Sequence, residues 1–216
     1  MKSNARMPIR IIAYLIDLGI AVFLKELLIL YLAQSLDVPT AMSRLITILV
    51  VMLVCMPIIL PLIYGVFISY FGGTIGKLVT GIEIISAETR ERISFKRAFF
   101  RTEVGYLISG MLFFLGFIWI AIDKKQRGWH DMAAQTEVIM RRVNGVLIGL
   151  IVVFLLVIVN VSIFDTIVRS FVRNGAVYEE IFAVVKSELE TSSKSKNPVP
   201  VQQQLSPTPG YQRYRY

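Results

Sequence analysis

The sequence predicts an all-α integral membrane protein with three transmembrane helices, a re-entrant helical hairpin and a small cytoplasmic β element. Three observations predict it. The 216 residues are 55% hydrophobic with a mean hydropathy of +0.65, above the roughly 45–50% apolar content of soluble domains. Charged residues make up only 18%, yet the formal net charge is +8, a combination that fits basic loops facing anionic headgroups. Finally, Ile11–Ala33, Leu45–Phe71 and Gly145–Phe164 are apolar runs, each long enough for the roughly 20 residues that a spanning helix needs.

The first run follows Lys2, Arg6 and Arg10, as a signal peptide would, but Asp17, Lys25 and Glu26 interrupt it. No small-residue cleavage site follows a compact core, so it is expected to remain as an uncleaved first span. The same basic residues place the N-terminus in the cytoplasm. The loop after this span is then outside, and the second span brings the chain back. Cytoplasmic segment 72–102 carries Lys77, Arg90, Arg92, Lys96, Arg97 and Arg101.

The fourth apolar run, Tyr106–Ile122, is followed by Lys124, Lys125, Arg127, Arg141 and Arg142. A single crossing would put those cations outside, against the positive-inside rule. A re-entrant hairpin over about 103–122, broken near Ser109-Gly110, keeps them in the cytoplasm. The stretches "KLVTGIEIIS" and "QTEVIM" read as short strands rich in β-branched residues, and they can pair only on one side.

Residues 1–143 therefore form the main membrane domain, with spans 11–33 and 45–71 and cytoplasmic segments 72–102 and 123–143. An additional span covers 145–164 and leads outside. Segment 165–190 is apolar at helical spacing and is expected to lie as an amphipathic helix on the outer surface, broken at Asn174-Gly175. Residues 191–216 turn to Ser, Lys, Pro and Gln, have little to bury, and are expected to be a disordered tail ending in a solvated "YQRYRY".

The glycine-rich "GGTIGKLVTG" resembles a phosphate loop only superficially. Phe71 stands where the first glycine belongs, and Leu78 rather than Ser or Thr follows Lys77. These glycines serve a tight turn as the second span leaves the bilayer, with Lys77 at headgroup level. The chain has one cysteine, Cys55, and one histidine, His130, which excludes a disulfide and any histidine-based metal site. No nucleophile stands with a base, so no enzyme, no metal and no cofactor is expected, nor any nucleic acid or nucleotide partner.

The ionisable residues of the first span carry the sharpest signal. Arg10 and Asp17 are seven residues apart, on one helical face and roughly 10 Å apart along the axis. A carboxylate inside a bilayer must be paired, protonated or hydrated. Asp17 is thus either an ion-binding carboxylate or a polar clamp between helices. In "DKKQRGWHD", Asp123–Asp131, Asp131 is expected to cap Met132-Ala133-Ala134 or to pair with Arg10. Asp123, His130 and Lys77 are secondary candidates.

Arg10-x6-Asp17, then "GGTIGKLVTGIEII", "ISFKRAFFRTE" and "DKKQRGWHDMAAQTEVI", in that order, resemble the RDD family of membrane proteins over about residues 6–140. The family is named for an arginine and two aspartates, which the resemblance matches to Arg10, Asp17 and Asp131. Family members commonly have Pro where Ile75 stands. Some members are proposed to exchange sodium or other cations for protons. The resemblance therefore implies transport of a small cation or proton by a homo-oligomer or larger membrane complex. The alternative is a non-catalytic scaffold or assembly subunit that binds a partner through its C-terminal outer region.

Overall fold

The computed structural model describes residues 3–111 and 115–196. The chain is mostly helical. Helix α1 (Met7–Ala33) carries Pro8 in its first turn, where a missing N–H costs nothing. Helix α2 (Val38–Val50) begins at Asp37, whose carboxylate accepts the Thr40 backbone N–H at 2.8 Å and the Thr40 hydroxyl at 2.9 Å. A π-helical turn, Val51–Cys55, joins α2 to α3 (Met56–Phe71). Pro57 sits just beyond this turn. Its ring would collide with the Leu53 carbonyl in a regular α-helix, and a wider turn relieves the clash. Gly72, at φ 84°, ends α3 in the left-handed region.

The short helix α4 (Ile75–Val79) leads into strand β1 (Ile82–Ser86). Helices α5 (Phe95–Met111), α6 (Leu115–Ile122) and α7 (Trp129–Ala133) follow, and then strand β2 (Thr136–Met140). The two expected strands form an antiparallel pair running from Ile82 opposite Met140 to Ser86 opposite Thr136, although the first starts only at Ile82, since Lys77–Val79 of the expected stretch belong to α4. The N-terminal leader joins this element: the Ala5 N–H donates to the Val138 carbonyl and the Met140 N–H to the Ser3 carbonyl.

Helix α8 (Gly145–Arg173) and helix α9 (Gly175–Lys196) complete the fold. The break at Asn174-Gly175 lies where the sequence puts it. Several boundaries differ from expectation. The second helical run starts at Val38 rather than Leu45, and α8 is unbroken from Gly145 to Arg173, so residues 165–173 continue α8 instead of opening a separate surface helix. Helix α5 runs through Ser109-Gly110 to Met111, so the break expected there does not occur at those two residues. Helix α9 continues to Lys196, past the start of the tail expected at 191. The Thr191 hydroxyl bonds to the Ser187 carbonyl of its own helix at 2.8 Å, so this polar residue does not interrupt it. The remaining tail and its "YQRYRY" lie outside the described residues.

Among the described residues, two helical segments are long and apolar enough to cross a bilayer: the run over Val38–Val79 and α8. Their apolar stretches are 0% and 6% buried, with side chains such as Leu53, Phe154 and Val161 largely exposed. A surface so apolar suits lipid rather than water. Helix α1 packs lengthwise on α8. At the far end of that pair the Asn174 amide donates to the Ala33 carbonyl at 2.9 Å and the Tyr178 hydroxyl to the Leu32 carbonyl at 2.7 Å.

The buried core sits at the opposite end, beside the strands. There Ala5, Ile9 and Ala13 of the leader and α1 meet Ile68 of α3, Ile82, Ile84 and Val138 of the sheet, and Ala98 of α5. This end gathers every candidate residue described next.

Candidate functional site

Asp131 is the centre of the site. It is 0% exposed and lies between two guanidinium groups. Arg10 donates to one carboxylate oxygen at 2.6 Å, and Arg101 donates to the other at 2.6 and 3.1 Å. The Gly128 backbone N–H adds a bond of 3.1 Å. The sequence offered two roles for Asp131, and the structure combines them with one change. Asp131 pairs with Arg10 as expected. It also caps a helix, but α7 starts earlier than expected, so Asp131 lies inside it and reaches back to the first turn.

Arg10 is held on three sides. Besides Asp131, it donates to the Ala5 carbonyl at 3.0 Å and to the Gln126 carbonyl at 2.6 Å. Gln126 adopts φ 56°, a left-handed conformation uncommon outside glycine, and its carbonyl faces the guanidinium. Arg101 is the functional residue that sequence reasoning missed, having counted it only as a basic loop residue. It is 1% exposed on α5. A signal existed: Ala98, Arg101, Thr102 and Gly105 recur at helical spacing, and all four are buried.

Asp17 is not part of this cluster, and Arg10 is not its partner. Its carboxylate accepts the Thr74 hydroxyl at 2.5 Å and the Gly76 backbone N–H at 2.7 Å. Asp17 thus caps α4 from a different helix and places a negative charge at a helix N-terminus. The glycine-rich loop does cradle an anion, but that anion is the protein's own carboxylate. Gly76 has to be glycine, because a Cβ there would run into the Ala13 carbonyl of α1. Lys77 donates to the Thr74 hydroxyl at 3.2 Å and makes no ion pair among the described residues.

The secondary candidates separate in the same way. Asp123 accepts the Arg127 N–H at 2.9 Å and its guanidinium at 3.2 Å, closing the turn before α7. His130 is buried against the Phe117 ring at a centroid distance of 5.0 Å, with Nε2 3.6 Å from Asp131. Burial pushes the His130 imidazole down to about 3, and the cations Arg101, Arg10 and Lys77 add to the shift against the opposing pull of Asp131. Burial alone would raise the Asp131 carboxyl, but Arg101 and Arg10 outweigh it and hold it far below the usual carboxylate range.

Both shifts have the same sign for stability. The unfolded chain protonates its histidine near 6.5 and its aspartate near 3.9, whereas the folded chain resists both. Folding is therefore fully supported above about pH 6.5 and weakens as the pH falls towards the folded value of about 3. Melting scans in detergent from pH 8 to pH 4.5 should show a flat region and then a fall of about 1.4 kcal/mol per pH unit. In His130→Phe, that slope between pH 6.5 and 4.5 should disappear. A slope unchanged in the variant would refute a neutral buried His130.

The pattern described as the RDD family matches residues 5–135. The chain belongs to the RDD family. The matched region contains Arg10, Asp17 and Asp131, and also Arg101, Thr74 and Gly76. The chain is similar to the uncharacterized protein YxaI of Bacillus subtilis (strain 168), with 32% identity over 155 residues, covering 65% of this chain and 100% of that protein. No solved structure matches. Family membership and the exposed apolar helices together make this an RDD membrane protein.

Proposed function

We propose that this RDD protein is a non-catalytic membrane scaffold or assembly subunit, in which Arg10, Asp17 and Asp131 hold the fold rather than carry an ion. One observation supports this reading above the rest: both named carboxylates are occupied by protein donors. A cation entering at Asp131 would have to displace two guanidinium groups. A cation at Asp17 would have to uncap α4. A carrier carboxylate exchanges its partners during each cycle, and these partners belong to the architecture.

In this reading α1, the α2–α3 run and α8 are three spans of the cell membrane, and α5 with α6 is a hairpin that dips in and returns. The β1–β2 pairing supports the hairpin. Both ends of the intervening segment lie on one side, so that segment crosses an even number of times. Helix α6, with 8 residues, rises only about 12 Å, too little to span. The basic residues put the sheet in the cytoplasm, which leaves α9 outside. Phe182, Val185 and Leu189 of α9 are exposed, and they support an outward-facing contact with a partner or a second copy.

The transport reading retains one specific support. A cavity of about 170 Å³ between α1 and α3 is lined by Asp17, Thr74, Lys25 and Tyr64. Cation-driven proton flux in inverted membrane vesicles separates the two readings. Under the scaffold proposal the native chain shows no flux, and Asp17→Asn lowers stability by about 1–3 kcal/mol through weakened hydrogen bonds. Flux that disappears in Asp17→Asn while its melting temperature stays native would overturn the proposal.

A further inference from the structure

A second cavity, of about 520 Å³, lies between α1 and the α5–α6 hairpin. These elements do not pack closely on one another. Helix α1 packs on α8 and α4, while α5 packs on α3 and α7. Arg10 and Asp131 tie the two groups together at one end, and the space above that tie is the cavity. Its base is basic: Arg10, Lys77 and Arg101 line it. Its walls are apolar and aromatic: Ile11 and Tyr14 of α1 face Phe117 and Ile120 of α6.

The charges at the base are unbalanced. Asp131 pairs with both guanidinium groups. His130 also lines the cavity and is neutral at physiological pH. Asp17 shares the Thr74 hydroxyl with Lys77 and offsets part of its charge, which leaves three cations and two carboxylates about the base among the described residues. A positive charge in a half-buried space attracts an anion strongly, because little water screens it. The wall chemistry narrows the choice of anion. Ile11 is 45% exposed and Tyr14 61% exposed, so the cavity wall continues onto the outer flank of α1, where a span meets acyl chains.

We propose that this cavity is a binding site for an anionic phospholipid, with the phosphodiester headgroup at Lys77, Arg10 and Arg101 and the acyl chains along Ile11, Tyr14, Phe117 and Ile120. Lys77 is the residue that selects the ligand. Unlike the two arginines, it serves no buried carboxylate, so its ammonium is available to a phosphate oxygen. The site is independent of whether the chain moves an ion or holds a partner.

The test is thermal melting of the purified full-length chain in detergent, titrated with phosphatidylglycerol, with phosphatidylcholine, or with inorganic phosphate alone. Phosphatidylglycerol is expected to raise the melting temperature saturably by about 5 °C, and the other two should have little effect. In Lys77→Gln the shift should shrink by more than half, and in Lys77→Arg it should remain. Lys25→Gln, a cation on α1 outside this cavity, should respond as the native chain does. If Lys77→Gln melts poorly before any lipid is added, the Lys77→Arg and Lys25→Gln comparison and native mass spectrometry of bound lipid decide the matter. An equal shift with phosphatidylcholine, or one unchanged in Lys77→Gln, would overturn the proposal. A full shift from inorganic phosphate would assign the cavity to a soluble anion and overturn the lipid. A two-copy mass without lipid, stable in detergent, would assign the groove to a second chain and also overturn it.

Discussion

Asp131→Asn is expected to destabilise the protein by about 3–5 kcal/mol, a fall of roughly 10 °C in melting temperature. The reason is the asymmetry between losing a buried ion pair and losing one member of it. Asp131 is the only carboxylate facing Arg10 and Arg101 among the described residues. Without it, two buried guanidinium groups lose the carboxylate that lies between them. An asparagine offers one carbonyl oxygen, and its amide nitrogen must face one of the cations. Arg101→Met should cost less, because Asp131 keeps Arg10 and the Gly128 N–H. Replacing all three by apolar residues of similar volume should restore much of the loss, since desolvation of the charges is then avoided. A melting series on these variants measures the coupling directly. If Asp131→Asn melts within a degree or two of the native chain, the cluster does not hold the base of the fold.

Much of this arrangement was legible in the sequence, and what escaped is instructive. The β1–β2 pair could be anticipated because both segments are β-branched and both are flanked by cations that must lie on one side. Arg10 and Asp131 could be anticipated because each stands at the edge of an apolar segment, where an unpaired charge is costly. Arg101 could not be singled out so easily, because Lys96 and Arg97 precede it on the same helix, and only its helical spacing with Ala98, Thr102 and Gly105 sets it apart. The partner of Asp17 was harder still. One of its two donors is a backbone N–H, which every non-proline residue carries, so no side-chain pattern announces it. A break was expected at Ser109-Gly110 because glycine in an apolar helix looks like one, yet Gly110 has open space around it and the helix continues through it.

That distinction between glycines yields the second large effect. Gly76→Ala places a methyl group into the Ala13 carbonyl of α1. The obstacle is backbone inside a helix, so no rotamer change relieves it. Helix α4 must move away, and in moving it withdraws the Gly76 N–H and the Thr74 hydroxyl from Asp17. Overpacking alone costs about 1–3 kcal/mol, and a carboxylate left without donors adds about 1–3 kcal/mol more. Gly76→Ala should therefore destabilise the chain at least as much as Asp17→Asn. The double variant should cost clearly less than the sum, because both substitutions break one contact. Gly110→Ala is the control, since a Cβ there meets nothing within 4 Å. It should be neutral or slightly stabilising, as alanine is the better helix former. If Gly76→Ala and Gly110→Ala behaved alike, close packing of α4 on α1 would not be what this glycine serves, and the cap on Asp17 would have to survive a shift of the whole loop. If they differ as expected, the glycine and Asp17 act as one joint, and that joint ties the end of the second helical run to the first helix.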